Sequence, residues 1–302
     1  MLRLLDRGLQ PRNGQRIFGA HIKIALVSAD GKSAEIWAGT QAATSLLKGV
    51  AKILDTDRSK LVLHQQFLGG GFGRRGNHEA VFDAVRLAKA AGKPVKYIWT
   101  REDDVAFGKF RPMTAHHIEA GFDADNKLVA WHHRVVAESV VAYSSGDPRP
   151  RQDRIVMKGS PVAQYPVANK LAEHVIVNRG ARLSPWRGVG NGHNAFAIES
   201  FVDELAANFG KDPIAFRLEL TEGVPRMQHL LRVVAGMSDW TRKRNGTALG
   251  VGTMVKDDTL AAGVAEIALD RATGKIKVLN FWAAVDAGIL PLPHPSPRNT
   301  AW

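Results

Sequence analysis

The stretch LGGGFGRR, residues 68–75, places four glycines within five positions and follows them with Arg74 and Arg75. Glycine adopts backbone conformations closed to other residues and lets a ligand approach the main chain closely. Successive amide groups in such a loop can form an anion-binding concavity, and arginines add planar, forked donors suited to phosphate. The stretch predicts either a cradle for a phosphate-bearing cofactor or a plain turn. It matches neither Gly-x-Gly-x-x-Gly nor the P-loop.

The segments on either side of this loop predict alternating strands and helices. Residues 61–67 predict a strand that runs into the loop, and a helical pattern begins near His78 and ends at Gly92. Residues 95–100 predict a buried strand. This order is typical of an α/β layer. In such a layer the helix would place its positive N-terminal end beside the glycine loop.

The residues before the loop extend the same layer. Residues 21–27 and 34–38 predict two strands of a hairpin. Thr40 predicts the N-cap of a following helix, whose apolar residues recur at helical spacing. After the loop region, Arg101–Asp104 predicts a charged turn rather than a metal site, because oxygen-ligand sites show more widely spaced acidic positions.

The middle of the chain predicts a long β-hairpin over residues 118–123 and 128–138. Two pairs of adjacent histidines, at 116–117 and 132–133, are candidate metal ligands. Adjacent residues on a strand point to opposite faces, so neither pair can simply chelate one ion, and we predict no metal site there. Residues 142–164, rich in Pro, Gly, Ser and Arg, predict a surface loop.

A second glycine loop, SPWRGVGN at residues 184–191, follows a strand predicted over residues 171–177 and again precedes a helix. That helix carries an apolar face, with Glu199, Asp203 and Glu204 on its other faces. Two loops that combine glycine with arginine, each feeding a helix, predict that both face one anionic or carbonyl-bearing ligand. The alternative is that Trp186 and Arg187 are a core aromatic residue and a surface charge.

The C-terminal third predicts a helix over residues 213–220 and another over 225–240 with a break at Gly236. Residues 261–269 and 276–285 predict a second hairpin. Four alternating prolines then mark residues 290–302 as a tail predicted to be disordered.

The composition excludes several classes of protein. The 302 residues contain no cysteine, which rules out disulfides and cysteine-ligated metal centres in this chain. The net charge is +12, which is compatible with an anion- or nucleic-acid-binding module. The basic residues are scattered, however, so we expect no nucleic-acid partner. No apolar run is long enough to span a bilayer, and residues 1–16 lack a secretory core, so the chain as it stands is expected in the cytoplasm.

Taken in order, these stretches resemble the molybdopterin-binding large subunit of the xanthine dehydrogenase/aldehyde oxidase family. The nearest branch is that of the isoquinoline 1-oxidoreductase β-subunit and membrane-associated aldehyde dehydrogenases. The resemblance covers roughly residues 17–289. The residues that carry it are WAGTQ (37–41), GGGFGRR (69–75), VKYIWTREDD (95–104), 111–131, SPWRGVGNGHNAFAIESFVDELA (184–206) and 263–288.

The resemblance implies an incomplete α+β fold of mixed sheets with packed helices. It divides the chain into an irregular arm (1–16), a first molybdopterin-binding region (17–180), the start of a second (181–289) and the tail. It also implies a molybdenum–molybdopterin cytosine dinucleotide cofactor, with the metal held by the pterin and not by protein side chains. The implied reaction hydroxylates an aldehyde or N-heterocycle with water as the oxygen source. Electrons would leave through a small [2Fe-2S] subunit or a cytochrome c subunit.

The same resemblance assigns roles by position. The residues that would line the cofactor are Gly70, Gly71, Phe72, Gly73 and Arg74, with Gln41 as a further contact. Arg187 would face the substrate, with Trp186 and Gly188 as its neighbours.

No residue of this chain matches the family's general base, a glutamate near the end of the large subunit. Glu199 and Glu204 do not fit as substitutes, because both lie on the helix after the second loop. Loss of a general base costs orders of magnitude in rate. We therefore expect little or no activity from the chain alone, as an inactive truncated product or as one part of a split subunit.

Overall fold

Three β-sheets with helices packed on them organise residues 22–147 and 153–289, which are the residues described by the computed structural model. The first sheet contains β1 (Ile22–Val27), β2 (Ala34–Ala38), β3 (Leu61–Gln65) and β4 (Val95–Ile98), in the order β3-β2-β1-β4. Strands β1 and β2 form the predicted antiparallel hairpin, and β2 pairs with β3 in parallel.

Helices α1 (Ala43–Leu54) and α2 (Glu79–Ala91) pack against this sheet. The apolar residues of both helices and of strands β1–β3 form one buried cluster. Helix α2 begins after His78 and ends at Gly92, which adopts a left-handed conformation as the C-cap. Both bounds agree with the sequence prediction, because the apolar period and the terminal glycine are local signals.

Three predictions for this region are wrong in detail. The N-cap of α1 is Ala42, so the predicted cap, Thr40, lies two residues before the observed one; the main-chain amide of Ala42 donates to the Thr40 hydroxyl. Strand β4 is an edge strand with Ile98 49% exposed, and it is not buried. Residues Arg101–Phe107 form helix α3 instead of a charged turn, because Thr100 and Asp103 close a capping box at its start.

The second sheet contains β5 (Thr114–Phe122), β6 (Leu128–Ala137) and β7 (Asn169–Ile176). Strands β5 and β6 form the predicted long hairpin, and β7 pairs in parallel with β6. Helix α5 (Asn191–Asn208) covers one face of the sheet, where Trp131 packs edge-on against Phe201. The buried cluster thus contains residues from before and after residue 180, where the sequence analysis divides the chain into two regions. That division stays a prediction.

The segment between β6 and β7 differs from the surface loop predicted for it. It begins with helix α4 (Val140–Ser145), and Val156, Val162 and Tyr165 are buried. The main chain can be buried here because side chains satisfy its carbonyl groups. The side-chain amide nitrogen of Asn194, Nδ2, donates to the main-chain carbonyl oxygens of Val156 and Lys158, both at 2.9 Å.

The third sheet contains β8 (Thr247–Lys256), β9 (Thr259–Asp270) and β10 (Lys275–Asp286), in the order β10-β9-β8. Helices α6 (Pro213–Leu220) and α7 (Pro225–Met237) precede it, and α7 packs on β9 and β10. The β9–β10 hairpin and α6 confirm their predictions. Helix α7 continues through Gly236, so the predicted break is wrong.

Two further predictions, the arm at residues 1–16 and the tail at 290–302, lie outside the described residues. Among the helices of residues 22–147 and 153–289, none combines the length and apolar character needed to cross a membrane.

Candidate functional site

The first glycine loop, residues 68–75, joins β3 to α2 through several left-handed residues. Gly70 and Gly73 have φ angles of +124° and +89°, and Phe72, between them, has a φ of +51°. A side chain at Gly73 would place its Cβ 2.3 Å from the carbonyl oxygen of Pro185. Glycine is therefore required at position 73 both by its backbone conformation and by its contact with the second loop.

The second glycine loop, residues 184–191, is built in a similar way. Gly188 has a φ of +85° and Val189 a φ of +45°. A Cβ at Gly190 would lie 2.3 Å from the carbonyl oxygen of Val156, so the buried segment after α4 packs directly beneath this loop. Helix α5 then begins at Asn191, the last residue of the loop, and confirms the prediction that a helix follows the loop.

The two glycine loops touch each other. The amide of Arg187 donates to the carbonyl oxygen of Phe72 at 3.1 Å. The guanidinium carbon of Arg187 lies 5.8 Å from the centre of the Phe72 ring, in a cation–π arrangement. Phe72 is 45% exposed and Arg187 is exposed, so both side chains lie on an open surface.

Gln41, an exposed residue, supports the first loop through hydrogen bonds to its main chain. Its Oε1 accepts a hydrogen bond from the Gly73 amide at 3.2 Å, and a Cβ at Gly71 would lie 2.6 Å from the Gln41 side chain. The Gln41 amide donates to the carbonyl oxygen of Arg75 at 3.1 Å. The structure thus places Gln41 against the loop, where it fixes the backbone of the glycines.

Arg74 lies behind the loop rather than on its outer surface. It is 1% exposed, its Nη1 donates to Glu79 Oε2 at 2.8 Å, and its guanidinium carbon lies 5.6 Å from the centre of the Trp99 ring. Burial by itself would raise the pKa of Glu79, but the charges and hydrogen bonds of Arg74 and Lys109 outweigh it and lower that pKa to about 2. The forked donor predicted to meet a phosphate instead pairs with a carboxylate inside the protein. Arg75 is partly buried as well, and burial lowers its pKa.

Sequence reasoning assigned no role to Arg111, which binds the second loop. Its Nη1 donates to the carbonyl oxygen of Val189 and its Nη2 to that of Arg187 at 3.1 Å. Its guanidinium carbon lies 5.0 Å from the centre of the Trp186 ring. No local pattern indicates such contacts, because the residues that Arg111 meets are distant in the sequence.

A row of main-chain donors remains open on the first loop. Within the described part of the chain, the amides of Gly69, Gly70, Gly71 and Phe72 have no hydrogen-bond acceptor. A Cβ added at Gly69 would meet open space. Consecutive free amides, in a loop that also contacts Arg187 through the Phe72 ring, make a donor set that suits an anionic, phosphate-bearing group.

The paired histidines separate onto the two faces of the second sheet, as predicted. On the inner face, His116 Nδ1 lies 2.9 Å from His133 Nε2, and the ring of His193 on α5 is 6.0 Å from that of His116, centre to centre. On the outer face, His132 lies between Glu119 and Glu173. Neither group, nor any other within residues 22–147 and 153–289, brings three candidate ligands together around a metal ion.

Glu199 is buried, in contrast to its predicted place on a face of α5 away from the core. Its Oε2 accepts from Arg217 Nε and from the Thr253 amide, both at 2.9 Å, and its Oε1 accepts from the Tyr165 hydroxyl at 2.8 Å. These contacts tie α5 to α6 and β8. A carboxylate with so many donors is fixed in place, which agrees with its exclusion as a general base.

Comparison with known proteins gives a consistent result. The family model for the molybdopterin cofactor-binding domain matches residues 11–219. The chain is 36% identical over 279 residues to the β-subunit of isoquinoline 1-oxidoreductase from Brevundimonas diminuta, covering 88% of this chain and 35% of that protein. It is 31% identical to the membrane-bound aldehyde dehydrogenase [pyrroloquinoline-quinone] of Gluconacetobacter polyoxogenes, covering 88% and 38%.

Solved structures with the same fold are similar at lower identity. Quinoline 2-oxidoreductase from Pseudomonas putida 86 superposes with a TM-score of 0.63 at 18% identity, covering 85% of this chain and 38% of that one. Reconstituted CO dehydrogenase from Oligotropha carboxidovorans gives 0.60 at 16% identity, covering 84% and 37%. These superpositions confirm the predicted α+β fold of mixed sheets with packed helices. The chain spans 35–38% of the length of these relatives and structures.

Proposed function

This chain belongs to the molybdopterin cofactor-binding domain family of molybdenum hydroxylases, and on that premise we propose that its two glycine loops form part of the cofactor site of an oxidoreductase. The proposed reaction hydroxylates an aldehyde or an N-heterocycle, with water as the source of oxygen. The chain spans only part of the length of its relatives, so the reaction is proposed for the assembly to which it contributes.

The observation that carries this proposal is the hydrogen bond between the Arg187 amide and the Phe72 carbonyl oxygen. It joins two loops that are far apart in the sequence, and the Arg187 guanidinium lies near the ring of Phe72, the last of the four residues with free amides. A plain turn has no need of a second glycine loop held against it. One anionic ligand in contact with both loops accounts for the arrangement.

The residues of the site divide into three roles. The main-chain amides of Gly70, Gly71 and Phe72 would bind the cofactor, and Gly73 would line it while Gln41, which accepts from the Gly73 amide, holds that main chain in place. Arg74 would support the loop from behind through its pair with Glu79, without contacting the ligand. Arg187 would orient the substrate, with Trp186 and Gly188 forming the adjoining wall.

The cofactor we propose is molybdenum–molybdopterin cytosine dinucleotide, which supplies two-electron oxidation of a C–H bond when bound. The residues of this chain would bind and orient it and present the substrate beside it. We further propose a small [2Fe-2S] subunit as the electron-accepting partner, followed by a cytochrome c subunit. Two relatives are themselves named as single subunits of larger enzymes, namely isoquinoline 1-oxidoreductase and the nicotinate dehydrogenase of Pseudomonas putida.

The test measures molybdenum and pterin in the full chain, purified after co-expression with the proteins that assemble the cofactor. The informative variant is Gly69→Leu, because Gly69 is exposed and an added Cβ there would meet nothing within 4 Å. The matched control is Gly236→Leu on α7, where an added side chain also meets nothing within 4 Å.

We expect pterin and molybdenum in the wild-type chain and in Gly236→Leu, and a large loss in Gly69→Leu at unchanged thermal stability. Folded wild-type protein without pterin would overturn the proposal that this chain is a cofactor-binding unit. Equal cofactor content in both variants would overturn the assignment of the site to the first glycine loop.

A further inference from the structure

Arg111 makes three contacts with the second glycine loop, two hydrogen bonds and one cation–π contact. We infer that Arg111 is a positioning residue that fixes the conformation of the second loop, and thereby the place of Arg187 and Trp186 beside the first loop. We call the contacts of Arg111 with the second loop the Arg111 clamp. That the clamp serves a cofactor site rests on the proposed function. That it holds the loop is a property of the folded chain, and the stability of the loop can be measured without any cofactor.

The contacts use the forked shape of the guanidinium group. Two different nitrogens donate to two main-chain carbonyl oxygens of the loop, those of Val189 and Arg187, while the planar face lies over the Trp186 ring. A lysine ammonium is a compact point charge and cannot make this combination. The two carbonyl groups flank Gly188, so the fork spans the turn itself.

The second loop has a strained backbone at Val189, and the contacts of Arg111 would keep the loop in that conformation. Val189 has a φ of +45°, and a β-branched residue in the left-handed region persists only where its surroundings enforce it. The Arg111–Val189 hydrogen bond acts on that same residue. The Val189 amide donates to the Trp186 carbonyl oxygen at 2.7 Å and closes a turn. Arg111 donates its hydrogen bonds to carbonyl oxygens of this same turn.

The charge of Arg111 has no carboxylate partner in the described part of the chain. Burial lowers its pKa. A partly buried cation held only by carbonyl oxygens and an aromatic ring is costly to desolvate, which argues for a specific use. That use fits the position of the loop, because its Arg187 amide makes the hydrogen bond to Phe72.

The experiment is amide hydrogen exchange on the full chain without cofactor, comparing the wild type with Arg111→Lys and Arg111→Ala. The reporting amides are those of Arg187 and Val189, whose hydrogen bonds define the loop contact and the turn. The matched control is Arg244→Lys, because Arg244 donates to the carbonyl oxygens of Ser238, Asp239 and Arg242 near β8.

Losing charge-assisted bonds to the loop should speed exchange at Arg187 and Val189 about tenfold or more in both Arg111 variants. Arg244→Lys should leave these two amides unchanged. Guanidinium ion at a low, non-denaturing concentration should restore protection in Arg111→Ala, whereas sodium at the same ionic strength should not. A purely structural loss would give no such rescue.

Unchanged exchange at both amides in the Arg111 variants would overturn the inference, as would failure of guanidinium to restore protection. The proposed function fails separately, through absence of pterin from the co-expressed wild-type chain. With pterin present, Arg111→Lys should retain less of it than Arg244→Lys does. Equal retention together with altered exchange would show that the clamp does not serve the cofactor site and would overturn its stated purpose.

Discussion

The amide nitrogen of Arg187 lies 3.1 Å from the carbonyl oxygen of Phe72 and donates a hydrogen bond to it. Each residue belongs to a loop that is rich in glycine and precedes a helix. The bond therefore brings two helix-entering loops to one surface, where the Phe72 ring and the Arg187 guanidinium also meet. The same packing of the two loops accounts for Gly73, because a Cβ at that position would meet the carbonyl oxygen of Pro185.

Replacing Gly73 with alanine should disrupt this contact and destabilise the fold. The new Cβ would lie 2.3 Å from the Pro185 carbonyl oxygen, and the residue has a φ of +89°. Strain of this kind costs about 2 kcal/mol or more in the free energy of unfolding. Urea denaturation measures it. Gly76→Ala is the control, because nothing lies within 4 Å of that site; equal stability of the two variants would contradict the expectation.

Much of the fold could be predicted because its signals are local. Helix α2 combines an apolar period with a terminal glycine, and the β9–β10 hairpin contains alternating residues around a turn. Strand β8 was missed because Gly250 and Gly252 interrupt its pattern, although its pairing with β9 is complete from Thr247 to Lys256. Helix α3 was mistaken for a turn although Thr100 and Asp103 match the capping-box spacing, a signal that was available.

The candidate site could be predicted only as two separate loops. Glycine content identified both, but the side-chain directions came from tertiary packing. Arg74 turns inward because Glu79, in the first turn of α2, offers it a carboxylate. The contact of Arg111 with the second loop joins residues distant in the sequence, and no periodicity encodes it. Helix α5 looked amphipathic with acidic outer faces, yet Glu199 is buried because Arg217 on α6 neutralises it.

Removing Arg217 should be strongly destabilising. This side chain is 0% exposed, and its Nε and Nη1 lie 2.9 and 2.6 Å from Glu199 Oε2 and Asp203 Oδ1. Arg217→Met keeps much of the volume but leaves the Glu199 carboxylate buried without its counter-charge. Breaking a buried pair in this way costs about 3–5 kcal/mol. Chemical denaturation of the variant measures the loss.

The matched control for Arg217 is Lys211→Met. It removes an ion pair with Glu219, but both side chains are well exposed. Exposed pairs contribute at most about 1 kcal/mol. A cost for Arg217→Met as small as that of the control would contradict the expectation, and the Glu199–Arg217 contact could not be counted as a stabilising buried ion pair.

His132 should titrate above its ordinary pKa. Its two ring nitrogens donate hydrogen bonds to the carboxylates of Glu119, at 2.9 Å, and Glu173, at 2.5 Å, and these bonds raise the pKa of His132 above 6.5. The charged form is favoured in the folded state, so this contribution to stability is fully present below pH 6.5 and is lost as the pH rises through the folded pKa. NMR of the imidazole ring measures the midpoint. Glu173→Gln should lower it, and a wild-type midpoint at or below 6.5 would contradict the assignment.

The three histidines on the inner face of the second sheet, His116, His133 and His193, should make the fold less stable as the pH falls, whereas His132 makes it less stable as the pH rises. Burial, followed by neighbouring charged histidines, lowers the pKa of His116 to about 3. Burial is also the main cause that lowers the pKa of His133 and of His193 to about 4. The groups facing this cluster also include His174 on β7 and Arg111. All three rings are neutral in the folded protein, whereas each takes up a proton below about pH 6.5 when the chain unfolds.

Stability from these three histidines is therefore complete above pH 6.5 and decreases as the pH falls from 6.5 towards 4, by about 1.4 kcal/mol per pH unit for each ring. Urea denaturation between pH 6 and 5 measures how steeply the free energy of unfolding changes with pH. In this range His132 contributes little to the change, because it is largely charged in both the folded and the unfolded chain. His193→Gln should reduce this slope by the share of one ring, because one proton fewer is taken up on unfolding. Glutamine can still donate to the Val156 carbonyl oxygen that His193 contacts at 3.0 Å, so the hydrogen bond is kept. An unchanged slope in that variant would show that His193 does not titrate in this cluster.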